Sequence, residues 1–122
     1  MKLNHLNLIV NDLDEAQRLF IELFDFTFER SVGGALAVLN DRDGFALVLA
    51  DAARFGDKSP TYPSGFHVGF IVERDEDVDV MHARTVATGL NPAHQPRRQH
   101  GSYGFYFIAL DGILFEVASS ST

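Results

Sequence analysis

The chain of 122 residues contains no cysteine. That absence excludes thiol catalysis, thiolate metal sites and redox switching within the chain, and it fits a reducing, cytoplasmic compartment. Basic residues are also scarce: 10 lysines and arginines stand against 17 acids, the net charge is −7, and no basic run is longer than Arg97-Arg98. Neither nucleic acid nor an anionic membrane is an expected partner of such a surface. Long apolar runs are missing too, since none approaches the roughly 20 residues of a spanning helix. The amino-terminal MKLNHLNLIV carries polar residues inside its apolar stretch and reads as a first strand rather than a signal peptide. At this length a single domain can bury a real core without disulfides.

Hydrophobic periodicity predicts the elements. Residues 3–10 alternate as a strand, with His5 and Asn7 on the face of Leu3 and Ile9. Asp12 is placed to cap a helix reaching about Phe24, with Asp14 and Glu15 in its first turn and an apolar stripe of Leu13, Ala16, Leu19, Phe20 and Leu23. Three short strands follow over 26–30, 35–39 and 45–50, separated by Gly33-Gly34 and by the NDRDG turn. Residues 53–64 lack periodicity and contain Pro60 and Pro63, which makes them a linker between a first unit, 1–52, and a second, 65–120. The pattern then restarts with a strand over 66–72, a helix capped by Asp75 and stopped by Gly89, and a short strand over 91–95. The PRRQHGSYG loop leads into a final hairpin.

Both halves therefore read strand, helix, three strands. NHLNLIV lies over FHVGFIV with His5 matching His67, an offset of 67 − 5 = 62. DGFALVLA lies over DGILFEVA with Val48 matching Glu116, an offset of 116 − 48 = 68. The second half carries six extra residues, placed most simply around PRRQHGSYG. Two copies of one unit account for such self-similarity.

The final hairpin, GFYFIALDGILFEV, holds one carboxylate, Glu116, among apolar neighbours. A two-residue Asp111-Gly112 loop would set Glu116 opposite Phe107, whereas a three-residue loop ending in Gly112 sets it opposite Tyr106. The three-residue loop is expected, because it sorts the hairpin into an all-apolar face and a mixed face. A carboxylate between Phe115 and Val117 needs a partner if buried; otherwise it marks an edge face in water. His5 or His67 alone is most simply a hydrogen-bonded core or rim residue. At repeat-related positions, however, His5, His67 and Glu116 can converge as two imidazoles and a carboxylate on one face of a divalent metal, leaving positions open for substrate.

On the motifs NHLNLIV, GFHVGFIV and GFYFIALDGILFEV, the chain resembles the vicinal oxygen chelate superfamily, the group of glyoxalase I, bleomycin resistance proteins, extradiol dioxygenases and fosfomycin-modifying thiol transferases. The resemblance covers essentially the whole chain. It implies an α+β fold of two βαβββ repeats forming a cupped mixed sheet with helices outside, a homodimer, and a small oxygenated substrate chelated to Fe, Mn, Zn or Ni. It places His5, His67 and Glu116 on three metal-ligand positions. The fourth is Val48, which argues against an authentic glyoxalase I. A tyrosine ten residues before the glutamate is common in the dioxygenases and thiol transferases, and here it is Tyr106, a candidate catalytic group. The lysine and arginine that accompany fosfomycin modification are absent, and the further histidines of the extradiol enzymes are not found.

Other expectations come from the residues themselves. His100, in a loop bounded by Gly101 and Gly104, is a second acid-base candidate on a mobile lid. Arg97 and Arg98 can clamp a carboxylate or phosphate, and Arg98 is taken as the substrate contact. Asn7 is expected either to support a ligand from behind or to line the pocket, and Ala46, Val48 and Ala50 make a small apolar wall. The rival expectation is a metal-free, bleomycin-sequestering type of binding protein, and a third is a metal-bound but catalytically idle regulatory module.

Overall fold

In the computed structural model, which describes residues 1–56 and 60–120, the chain divides into two units between Thr61 and Tyr62. The first runs β1 (His5–Val10), α1 (Leu13–Glu22), β2 (Thr27–Val32), β3 (Leu36–Asn40) and β4 (Ala46–Asp51), with sheet order β1-β4-β3-β2. The second runs β5 (His67–Val72), α2 (Asp75–Ala87), β6 (Arg97–Gln99), β7 (Ser102–Ala109) and β8 (Ile113–Ser119), with order β5-β8-β7-β6. Each unit is thus βαβββ, and the expected α+β class of two such repeats is what forms. In both sheets the first strand pairs parallel to the last, as a helical crossover requires. Among the described residues, no helix is long and apolar enough to cross a membrane.

In the first unit, Asp12 caps α1 by accepting from the Glu15 N–H at 3.0 Å. The helix buries Ala16 and Phe20, and Leu23 just beyond it is buried too. Phe26 meets Phe20 edge-on at 5.6 Å. From the sheet, Leu8, Val10, Leu47 and Leu49 are all buried. The alternate residues His5, Asn7, Ala46 and Val48 share the opposite face.

In the second unit, the hairpin of β7 and β8 supplies the core. Phe105, Phe107, Phe115, Ile113 and Val117 are at most 1% exposed, and Phe107 stacks on its cross-strand partner Phe115 at 5.2 Å. Burial of each such side chain contributes about 1.5–3 kcal/mol, so a one-residue slip would be heavily penalised. Helix α2 covers this face, with His82 edge-on to Phe105 at 5.0 Å and Val78 fully buried.

Four expectations are corrected. Asp75 is the first residue of α2 rather than its cap; Arg74 occupies that place, and its N–H donates to Asp77 at 3.2 Å. Asp75 instead spends its carboxylate on other elements, accepting from Arg98 and Ser119. The strand expected over 91–95 forms later, as Arg97–Gln99. The expected lid is a tight hairpin: β6 and β7 pair from Arg97–Gly104 to Gln99–Ser102, and His100 (φ 54) and Gly101 (φ 83) form its two-residue turn. The linker expected from residue 53 overlaps a 3₁₀ turn, Ala52–Phe55, capped by Asp51; residues 57–59 of that linker lie outside the described residues.

The six extra residues divide in two. Helix α2 has 13 residues against 10 in α1. Val32 pairs with Leu36 whereas Arg97 pairs with Gly104, so the repeat offset rises from 97 − 32 = 65 to 104 − 36 = 68 within the longer second hairpin.

Candidate functional site

On the face of the second sheet away from α2, period-two alternation sets out one polar row. β8 contributes Glu116, β5 contributes His67 one step along, and β7 contributes Tyr106, whose Cα partner is Glu116 itself. The three-residue loop Leu110-Asp111-Gly112 produces this register, as the sorting of faces predicts. Gly69 is the β5 partner of Glu116 and offers no side chain, which leaves room beside the carboxylate.

The Nε2 atom of His67 lies 3.4 Å from Oε1 of Glu116. Its Nδ1 lies 2.9 Å from the Gly65 carbonyl oxygen. A carbonyl can only accept, so Nδ1 carries a proton and donates it, which aims Nε2 at the carboxylate. Two acceptors at this separation repel unless a cation, either a proton or a metal ion, sits with them. The Glu116 side chain is 24% exposed, so the surrounding protein screens that repulsion less than bulk water would.

Tyr106 reports the same field. Burial first, then its hydrogen bond to Glu116 and the charge of that carboxylate, push its phenol above the ordinary tyrosine range. The phenol therefore stays protonated beside Glu116. Its ring meets two imidazoles, His67 at 6.0 Å and His94 at 6.4 Å between centroids. Nδ1 of His94 donates to the Gln95 carbonyl at 2.7 Å, and the Ala93 N–H donates to the Tyr106 carbonyl at 3.2 Å. Sequence reading missed His94, which sits in an irregular stretch without periodicity before β6. Gly69 was also missed, although a glycine inside a strand is itself a signal of close approach.

In the first unit, His5 is exposed and its Nδ1 lies 2.8 Å from Oδ1 of Asn4, so its Nε2 is free in the same tautomer. Asn7 is exposed on the same face, and its Cα partner Val48 is half-buried opposite Val38. Among the described residues, no three histidine, aspartate or glutamate side chains are gathered as a metal site; the pair His67–Glu116 forms within the second unit.

Two expected contacts are not brought to Glu116. Arg98 points to the helix side, where its guanidinium meets Asp75 at 2.5 Å and lies over the Tyr103 ring at 5.7 Å. Strand alternation forces this, because Arg98 pairs with Tyr103, which flanks buried Phe105 by two residues. His100 is at the hairpin tip, and the four strand steps from Ser102 to Tyr106 in β7 separate that tip from Glu116's partner by roughly 13 Å.

A family model for the Glyoxalase/Bleomycin resistance protein/Dioxygenase superfamily matches residues 2–117. The chain belongs to this superfamily. A solved structure of a possible glyoxalase from Bacillus cereus is 36% identical over 97% of this chain and 98% of that one, with a TM-score of 0.83. A lactoylglutathione lyase from Agrobacterium tumefaciens is 21% identical over 98% and 93%, at TM-score 0.78. The fosfomycin resistance protein FosX from Listeria monocytogenes is 23% identical over 98% and 91%, at TM-score 0.80. At these last two identities the likeness is one of fold alone. No curated protein matches the chain. As a member of the glyoxalase superfamily, the chain presents an imidazole-carboxylate pair at the register where first and last strands of the second repeat meet.

Proposed function

We propose that this superfamily member is a metal-dependent enzyme that acts on a small oxygenated substrate chelated to a divalent ion. The observation that carries this reading is the 3.4 Å approach of His67 Nε2 to Glu116 Oε1, with the imidazole tautomer held by Gly65. That separation suits two donors each about 2.1 Å from a common ion, and imidazole with carboxylate is a donor set for Fe, Mn, Zn or Ni. The Gly65 carbonyl then acts as the outer partner that orients a ligating histidine. His5, the repeat counterpart of His67 with the same free Nε2, is the third ligand in this proposal.

When bound, such an ion polarises substrate oxygens as a Lewis acid. Tyr106, protonated beside Glu116, would donate its phenolic hydrogen bond or proton to the substrate oxygen nearest it. His94 is the second group able to accept a proton beside Tyr106. Asn7 and Val48 line the first-unit face, where Val48 in place of a carboxylate points to a lyase, dioxygenase or transferase other than an authentic glyoxalase I. A homodimer in the cytoplasm is part of the same reading, supported by the family resemblance and the lack of cysteine.

The test is metal analysis of protein purified without chelator and after reconstitution with each of the four ions. About one ion per chain is expected in the wild type and clearly less in His67→Ala, with circular dichroism confirming that the variant folds. A wild type without stoichiometric metal after reconstitution would overturn the proposal. The apolar wall around Val48 and Val38 favours one second reading, a metal-free binding protein; it predicts thermal stabilisation by bulky aromatic compounds and none by the ions.

A further inference from the structure

Two adjacent arginines on β6 face opposite ways. Arg98 is neutralised by Asp75 on the helix side. Arg97 is the Cα partner of Gly104, itself the partner of Ala118, so it stands on the same face as Tyr106 and Glu116. Its Nε donates to Gln99 Oε1 at 3.4 Å, and no carboxylate pairs with it among the described residues. In a chain of net charge −7 this guanidinium has acids in excess to choose from, yet it is presented on the candidate site's face with only an amide beside it. Between Arg97 and β8 that row holds only Gly104 and the buried Ala118, a hydrogen and a methyl. His94 packs on the Tyr106 ring and keeps its Nε2 unspent.

We infer that Arg97 anchors an oxyanion of the substrate, a carboxylate or a phosphate-like group, and that the reacting oxygens lie toward Glu116. The assignment rests on reading the Glu116 face as the reaction site. Guanidinium recognises such groups through parallel N–H donors, and Glu116 on β8 is two strand spacings, about 10 Å, from β6. The substrate is accordingly a short molecule, anionic at one end and carrying chelating oxygens at the other, which an acidic protein would otherwise repel.

The experiment titrates metal-free protein with inorganic phosphate and, separately, with glycolate, followed by nitrogen-15 NMR. One of the two is expected to move the Arg97 Nε–H and Gly104 amide signals saturably, and the stronger binder identifies the oxyanion class. Arg97→Gln should weaken that binding by about tenfold or more, while Arg98→Gln leaves it intact. Equal binding by Arg97→Gln, or no saturable shift at Gly104 with either anion, would overturn the inference. Because metal is absent throughout, the result stands apart from the metal analysis, and either can fail without the other.

Discussion

Tyr106 stands directly opposite Glu116 across β7 and β8, and a turn is the reason. Leu110, Asp111 and Gly112 close the hairpin with φ of 53, 62 and 113, three consecutive left-handed residues. A loop one residue shorter would put Phe107 opposite the carboxylate and turn the aromatic core outward.

Gly112 is the member of that turn whose φ a side chain tolerates least. Gly112→Ala should cost about 1–2 kcal/mol by urea denaturation. The Tyr106–Glu116 pairing should persist, checked by cross-strand nuclear Overhauser effects.

Gly104 lies under a different constraint, one of space. A Cβ there would stand 2.4 Å from the Val117 carbonyl oxygen and 2.9 Å from Ala118 Cβ, and a backbone oxygen in a ladder cannot step aside. Gly104→Ala should lose about 1–3 kcal/mol and shift the Tyr106 ring resonances two residues away.

The polar clasp at the start of α2 should respond unequally to removal of its members. Arg98 and Asp75 form a half-exposed pair, so Arg98→Gln should cost less than about 1 kcal/mol. Asp75→Ala also removes the acceptor that buried Ser119 uses at 2.6 Å and should cost about 1–3 kcal/mol. Thermal denaturation of the two variants side by side checks the order.

Tyr103 makes the clasp sensitive to alkali. Its hydroxyl donates to Asp79 Oδ1 at 2.6 Å, and this bond first, then burial and the charges of Asp79 and Asp75, raise its phenol above the ordinary value. A group whose folded pKa is raised contributes stability that is fully present below the unfolded value, near about 10, and is lost as pH rises through the folded one. The stability difference between wild type and Tyr103→Phe should therefore hold constant at neutral pH and shrink above about pH 10, measured by urea melts along the pH series.

Much of this architecture is legible in local chemistry. Asp12 as a cap, Gly89 as a stop and the alternation of GFYFIALDGILFEV each act within a few residues, and each element appears where those signals fall. The β6 strand was harder to place, because three residues, RRQ, have no apolar pattern and are held by pairing with β7 alone. For the same reason His100 reads as part of a loop, although its positive φ makes it half of a two-residue turn.

The sequence by itself determined the two βαβββ units, the faces of the last hairpin and the equivalence of His5 with His67, since periodicity and repetition are properties of the chain order. Only the tertiary structure decided which side chains meet. It brought His67 to Glu116 with its tautomer set by Gly65, laid His94 against Tyr106, and turned Arg98 to the helix while leaving Arg97 on the other face. In a strand the two faces exchange at every residue, so where β6 begins decides which arginine is neutralised and which is presented.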